Sequence, residues 1–169
     1  MLVSADYSQI DMRSAAMITR DEKMIAALTN GIDLHCLTAS VIHGIDINDV
    51  TREQRSQMKA VNYAVLYGGD DGQTQAARAR LHEIFPKFYG WFARQMRDYT
   101  TIKRVKTPSG RIIWRSLPDW RKKVCNYPVQ SASSEVLLAA LDHLVMALEG
   151  LGARIVLCVH DEIILEVAE

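Results

Sequence analysis

The sequence predicts an α+β fold, with β-forming runs at the two ends of the chain and helices through most of the length between them. Three observations carry this. The chain opens on a short apolar run, Leu2 to Ala5. It closes on two more, 153-ARIVLCV-159 and 163-IILEV-167, parted only by 160-HDE-162. The stretch between carries apolar side chains at helical spacing, with helix caps at intervals. At 169 residues, nearly half of them apolar, the chain can bury one core and at most a second small lobe.

Taken in order, Leu2 to Ala5 reads as a short buried strand, followed by polar Asp6, Tyr7 and Ser8. From Gln9 the spacing turns helical as far as about Ile18. Thr19 and Glu22 have the spacing of a capping box for a second helix that Gly31 would stop, and Asp33 can cap a third, ending near Gly44. Thr51 and Gln54 form another capping box, opening a helix through Leu66 that Gly68 and Gly69 close. Residues 73–100 read as helix broken in two by Pro86. In 103-KRVKTPSGRIIWR-115 two β-prone arms flank a Pro-Ser-Gly turn, the pattern of a hairpin. A helix dense in Leu and Ala covers roughly Ser131 to Glu149, and Gly150 and Gly152 end it before the closing strands.

The chain carries 20 basic and 20 acidic side chains, so only their distribution bears on partners. Cys36, Cys125 and Cys158 are odd in number and share no ligand-like spacing, which points to reduced thiols in a cytosolic protein rather than disulfides or zinc. No cationic-then-apolar leader opens the chain and no apolar run approaches 18 residues, so neither an export signal nor a membrane span is expected. Both ends fall in or just after strand-like sequence, as if cut from a longer chain.

Acids that could hold metal ions fall in three places. In 67-YGGDDG-72, Asp70 and Asp71 are adjacent, but they follow a helix among glycines, with no β run on either side, where acids usually mark a solvated turn. Two-metal phosphoryl chemistry needs carboxylates on rigid backbone, holding cations about 3.5–4 Å apart. A strand end and a tight hairpin are better mounts, and Asp6 is on the first, Asp161 and Glu162 on the second. Taken alone, Asp6 reads as a helix-preceding cap and 160-HDE-162 as a polar turn, although a turn with two acids, an imidazole and no Gly or Asn is unusual.

Six segments in order weigh on these readings. The stretches 6-DYSQIDMR-13, 55-RSQMKAVNYAVLYG-68 and 159-VHDEIILEV-167 resemble the three motifs of family A DNA polymerases, the bacterial DNA polymerase I-like group. Between them, 32-IDLHCLTAS-40, 107-TPSGR-111 and 126-NYPVQ-130 also match. The resemblance covers nearly the whole chain. It implies a polymerase palm, a small antiparallel sheet backed by helices, in residues 1–31 and 125–169. A mainly helical fingers subdomain would be inserted at 32–124, with thumb and exonuclease domains outside this chain. The implied activity is template-directed DNA synthesis: a primer 3′-hydroxyl attacks the α-phosphate of a dNTP across two Mg²⁺ ions, for which Mn²⁺ can substitute, and pyrophosphate leaves. Implied partners are primer–template DNA, dNTPs and the remainder of a longer polymerase chain, in the cytoplasm of a bacterial or phage-infected cell and away from any membrane. The alternatives are a remnant that only binds nucleic acid, and an RNA-dependent polymerase built on Gly69, Asp70 and Asp71, which would need strands flanking that triplet.

By this resemblance Asp6 and Asp161 are metal ligands together with the backbone carbonyl of Tyr7, and Glu162 is an auxiliary acid near the primer end. Arg55, Lys59 and Tyr63 recur every four residues along one helical stripe, so two cations can meet a triphosphate while the aromatic stacks on a base or sugar. Without the other segments the same stripe is an amphipathic helix with solvated cations. Lys59 is also implied as general acid toward pyrophosphate, and His35 as a phosphate contact. Gln9 and Asp11 belong with the nucleotide. Tyr67 and Gln130 belong with the template base and minor groove, Asn126 and His160 with the primer. Arg111 lies in a basic stretch, Lys103 to Lys123, whose eight cations face one acid, Asp119, and could neutralise phosphates. Trp114 and Trp120 interleave there and serve equally well as core anchors.

The chain departs from the family pattern at four places. Asp11 stands where Glu is usual, the carboxylate that gates against a sugar 2′-hydroxyl, so weaker sugar discrimination is expected. Tyr63 stands where many relatives have Phe, which implies ready use of dideoxynucleotides. Ala64 replaces a Gly. The segment from Gly69 to Phe85 is shorter than its counterpart, with 69-GDDGQ-73 in place of a piece of the fingers.

Overall fold

The computed structural model describes residues 1–69, 72–115 and 118–168. Asp70 and Asp71 lie outside the described residues, and their flanking elements are both helical. In chain order the elements are β1 (Leu2–Asp6), α1 (Ile10–Thr19), α2 (Glu22–Thr29), α3 (Leu34–His43), a 3-10 turn at Ile47–Asp49, α4 (Arg52–Leu66), α5 (Gly72–Leu81), α6 (Pro86–Asp98), β2 (Arg104–Lys106), β3 (Ile112–Trp114), α7 (Trp120–Ala147), β4 (Ala153–Val159) and β5 (Glu162–Val167). The α+β class follows directly.

Most helices begin where a side chain accepts their free N–H groups. Asp33 Oδ1 accepts from the His35 and Cys36 amides, and Thr51 with Gln54 forms the expected reciprocal box. The expected Thr19–Glu22 box does not form. The Thr19 hydroxyl donates to the Ala15 carbonyl inside α1, and Asp21 caps α2 through the Met24 amide. The second oxygen of Asp21 accepts from the Lys87 and Phe88 amides, so one buried carboxylate caps both α2 and α6. Pro86 opens α6 at a position where a missing N–H costs nothing.

The long final helix starts at Trp120, not near Ser131. Pro128 hides its first half from a sequence reading, because proline cannot donate to the Val124 carbonyl one turn back. Packing overrides that loss. Trp120, Val124, Cys125, Pro128, Val129 and Ala132 make one buried stripe, and the Trp120 indole N–H donates to the Ile102 carbonyl. Trp120 is thus a core anchor, whereas Trp114 is exposed beside the Arg104 guanidinium.

The sheet has the order β1-β5-β4, antiparallel throughout, and β2 and β3 form a separate hairpin. Its register pairs Asp6 with Glu162 on one side of β5 and Val159 with Glu162 on the other. The expectation that β1 is buried fails: all five of its residues are exposed, Leu2 at 69%. β1 is an edge strand, hydrogen-bonded to β5 on one side only among the described residues. The core instead sits among the helices, where Met24, Leu34, Leu66, Leu81, Phe88, Phe92, Val124 and Val129 are buried. Ile163 is the one strongly buried apolar side chain of the sheet among the described residues. Among the described residues no single helix is long and apolar enough to cross a membrane.

Candidate active site

β1 ends and the β4–β5 turn begins at the same point of the molecule. The Tyr7 amide donates to the Asp161 carbonyl at 3.2 Å, and Asp6 stands opposite Glu162. The turn is tight, with His160 in the left-handed region at φ 56. The Asp6 and Asp161 carboxyls lie within hydrogen-bonding reach of each other. Desolvation, then the charges of Asp161 and Glu162, push the Asp6 pKa up against the opposing pull of Lys59. The Ser4 hydroxyl donates to Glu162, fixing that side chain on the sheet.

Among the described residues no three His, Cys, Asp or Glu side chains converge on one point. Two carboxylates and the Tyr7 carbonyl are nevertheless an all-oxygen donor set. Mg²⁺ is commonly held in this way, by one or two carboxylates completed by water and substrate phosphates. The residues present fit a hard divalent cation.

Next to the acids, α4 presents its stripe. Asp11, Lys59, Tyr63, Tyr67, Gln130, His160 and Asp161 line one cavity of about 430 Å³, with Ile10, Ser133, Ser134 and Leu137 completing its wall. Seven sequence-predicted residues thus meet in one hollow. The Lys59 ammonium lies 5.8 Å from the Tyr63 ring centroid. Burial, then the nearby Asp11 carboxylate and Tyr67, push the Tyr63 phenol up to about 12, so it stays protonated as a donor. Tyr67 is also raised, by burial and Asp11, and Gln130 is close enough to hydrogen-bond its hydroxyl.

Other predicted residues do not line this cavity. Arg55 is ion-paired with Asp33 at 2.6 Å. Gln9, left-handed at φ 56, uses its amide oxygen to accept from the Leu34 N–H, joining the start of α1 to the start of α3. His35 is buried. The Asn62 amide group lies 3.0 Å from His35 Nδ1, which leaves the proton on Nε2. Burial, with Arg55 and Lys59 acting against Asp33, lowers the His35 pKa to about 4. Asn126 holds a buried side-chain oxygen with no partner. Arg111 Nε is 4.0 Å from Glu135.

Three supporting groups, Asn62, Glu135 and Ser133, and the pairing of Asp33 with Arg55 escaped the sequence reading. Asn62 also donates to the Thr38 hydroxyl and lies 3.5 Å from the Tyr89 hydroxyl. Its signal was a polar residue on the buried stripe Met58, Val61, Asn62, Val65, Leu66. Glu135 accepts from Thr107 and Ser109 and pins the β2–β3 turn to α7. Asp33 pairs with an arginine 22 residues away, and Ser133 reaches Asp11 across 122 residues. Neither pairing has a local signature. Gly68 is needed where α4 meets α7: it sits at φ +71, and a Cβ there would lie 3.2 Å from the Lys122 Cα.

Comparison with known proteins places this architecture. Residues 1–169 match the model of "DNA polymerase family A". The chain is 33% identical to DNA polymerase I of Caldicellulosiruptor bescii over 98% of its own length and 22% of the relative's. It is 32% identical to the thermostable DNA polymerase I of Thermus aquaticus, again over 98% of this chain and 22% of that one. The first alignment runs over 193 positions although the chain has 169 residues, so that relative carries residues this chain lacks. Among solved structures, the polymerase domain of Pol1 from M. smegmatis, in complex with DNA primer-template and dNTP, superposes with a TM-score of 0.80 at 28% identity. The match covers 99% of this chain and 34% of that one. The chain therefore spans about a fifth of the length of the curated relatives it matches. On a family match over its whole length and an α+β architecture shared with a solved polymerase domain, the chain belongs to DNA polymerase family A.

Proposed function

We propose that the chain is the catalytic core of a template-directed DNA polymerase, joining dNTPs to a primer 3′-hydroxyl with release of pyrophosphate. Residues 1–31 and 125–169 form the palm and 32–124 the fingers. The observation that carries this reading is the meeting of Asp6 and Asp161 beside the Lys59, Tyr63 and Tyr67 face of α4.

Each residue has a task that its position supports. Asp6, Asp161 and the Tyr7 carbonyl would hold two Mg²⁺ ions, or Mn²⁺ in their place. When bound, these ions supply charge neutralisation at the attacking and leaving oxygens. Lys59, whose charge reaches Asp6, meets the triphosphate and gives a proton to departing pyrophosphate. Arg55 stands one turn before it on the same stripe, and neutral His35, buried as it stands, would offer its Nε2–H to a phosphate oxygen once the α3–α4 seam around it opens. Tyr63 stacks under the incoming nucleotide, while Tyr67 and Gln130 bound the template side. Asn126, with its orphaned acceptor, and His160, on the turn, face the primer. Arg111 and the neighbouring cations hold the backbone phosphates.

One observation favours a narrower version. Leu2, Val156 and Leu157 of the sheet are exposed, and a groove of about 940 Å³ runs between the end of α7 and β4–β5, with Val145 and Met146 exposed along it. The chain matches only a third of a polymerase domain. In this version the remainder of a polymerase chain covers that face, and the isolated piece binds DNA without turnover.

Primer extension on a primed DNA template with Mg²⁺ and dNTPs tests both, with Asp161→Asn and an Asp70→Asn/Asp71→Asn double variant alongside. Extension lost only in Asp161→Asn supports the catalytic reading. DNA binding without extension in every version supports the narrower one, and neither binding nor extension rejects both.

A further inference from the structure

A second hollow, of about 780 Å³, lies between β2, α6 and the end of α1. It shares no lining residue with the active-site cavity or with the groove at the sheet. Pro128 of α7 contributes to its wall. Two residues along a helix turn the side chain by about 200°, so Pro128 points away from Asn126 and Gln130. The hollow is therefore on the far side of α7 from those two residues, which were assigned to DNA.

Three consecutive residues of β2, Arg104, Val105 and Lys106, line it. Side chains alternate across a strand, so an opening that meets all three runs along the strand edge. That edge is unpaired: among the described residues β2 is bonded to β3 alone. The ladder shows which backbone groups face outward. The Thr107 amide donates to the Arg111 carbonyl and the Arg115 amide to the Lys103 carbonyl, both at 2.9 Å. Bonded and non-bonded pairs alternate in an antiparallel ladder, so the pairs Arg104–Trp114 and Lys106–Ile112 are non-bonded. The N–H and C=O groups of Arg104 and Lys106 thus point out of the hairpin. The side chains sort by face. Val105 is buried on the same side as Thr107, whose hydroxyl bonds Glu135 of α7, while Arg104 and Lys106 are exposed on the other. Met17, Ile18 and Pro128 add apolar wall. Among the described residues neither Arg104, Lys106 nor Arg20 at the rim forms an ion pair, and no carboxylate lines the hollow.

We propose that β2 is a docking edge for an extended acidic segment of another protein, which adds to it as a third strand with acidic and apolar side chains in alternation. The outward backbone groups of Arg104 and Lys106 bond the segment's main chain. Its acidic side chains lie on the face of Arg104 and Lys106, and its apolar ones enter the hollow beside Val105. A nucleic-acid strand would meet the same cations, but it has no amide groups with which to pair the edge. The Trp114 ring beside it is also covered on one side already, by the Arg104 guanidinium 5.6 Å from its centroid. The remainder of a polymerase chain has its proposed place at the groove between α7 and β4–β5, so the segment is assigned to a separate protein. The docking edge does not depend on the polymerase reading.

The test is fluorescence anisotropy with the whole chain and a short labelled peptide of alternating Glu and Val. The parent should bind it saturably, and more weakly as salt rises. Two further peptides carry methyl groups on the Glu nitrogens or on the Val nitrogens, with every side chain in place. Alternate N–H groups of a strand face opposite edges, so one methylated form should lose binding and the other keep it. In Arg104→Glu/Lys106→Glu, which alters exposed side chains only, the affinity should fall about tenfold. A peptide of alternating Lys and Val should bind that variant instead. No saturable binding by the parent, or the same result for both methylated forms, overturns the proposal. So does binding of labelled oligothymidylate in place of the peptide, lost in the double variant, which would make the edge a nucleic-acid surface.

Discussion

Arg55 reaches one oxygen of Asp33 twice, through Nε at 3.0 Å and Nη2 at 2.6 Å, while the other oxygen of the same carboxylate caps α3. One acid thus sets both the start of a helix and the orientation of a cation proposed to meet triphosphate. Asp33→Asn keeps an acceptor for the cap, whereas Asp33→Ala loses cap and ion pair together. The alanine variant should cost about 1–2 kcal/mol, most of it from the cap because the ion pair is partly exposed. Urea unfolding of the three proteins checks the order parent, Asn, Ala.

The same carboxylate has a pH signature. Partial burial acts to raise its pKa, but the Arg55 hydrogen bond, the Cys36 N–H and the nearby positive charge hold it below the ordinary 3.8. A lowered folded value means the stability it adds is fully present above pH 3.8 and is lost as pH falls through the folded value. Unfolding midpoints measured down an acid series should lose this acid-side slope in Asp33→Asn.

His35 should titrate far from an ordinary histidine. Its folded value of about 4 against 6.5 means the unfolded chain binds the extra proton first, so stability rises between those values and is flat above them. The ring C–H resonance of His35, followed by NMR, should show a midpoint near 4. In Asn62→Ala, which removes the donor to Nδ1, the midpoint should move upward.

Asp6 is held up by desolvation and by its acidic neighbours. Asp161→Asn removes the larger of the two charges acting on it, so the Asp6 carboxyl should titrate at lower pH in that variant. Carboxyl carbon shifts across an acid titration measure this without requiring turnover. An unmoved Asp6 would separate the two carboxyls that the proposed metal site joins.

Glu135 gathers the Thr107 and Ser109 hydroxyls and thereby fastens the β2–β3 turn onto α7. Glu135→Ala should release the hairpin locally, at a cost of about 1 kcal/mol for each hydrogen bond lost. Amide exchange at Gly110 and Arg111, whose N–H groups bond Thr107 within the turn, should accelerate while helix amides in the core do not.

Much of this molecule was legible in the sequence because local rules governed it. Asp33, Thr51 and Pro86 mark helix starts through chemistry contained within one turn, and the closing hairpin announces itself by two apolar runs three residues apart. The failures share a cause in long-range packing. Asp21 displaces Thr19 as a cap because it can also reach α6, 66 residues onward. Pro128 sits inside a helix because its flanks have a core to bury against. The strand expected at Leu2 to Ala5 looked buried by composition, yet burial depends on what lies over it. The acids could be named by motif, but their company of Asn62, Ser133 and Glu135 could not. Those contacts span 24 to 122 residues and leave no periodicity.

The pairing of β1 with β5 also sets a timetable. Ser4 and Glu162 touch across 158 residues of chain. Closing so long a loop costs about 4–5 kcal/mol of chain entropy before any sheet bond repays it. The helices need only near neighbours to form, so they are expected to gather first and carry α4 into place. Asp6 and Asp161 are then expected to come together late, once β5 has paired with β1. Until then the proposed cation site is incomplete, and a truncation anywhere in β5 should spare the helical core while leaving Asp6 without its partner acid.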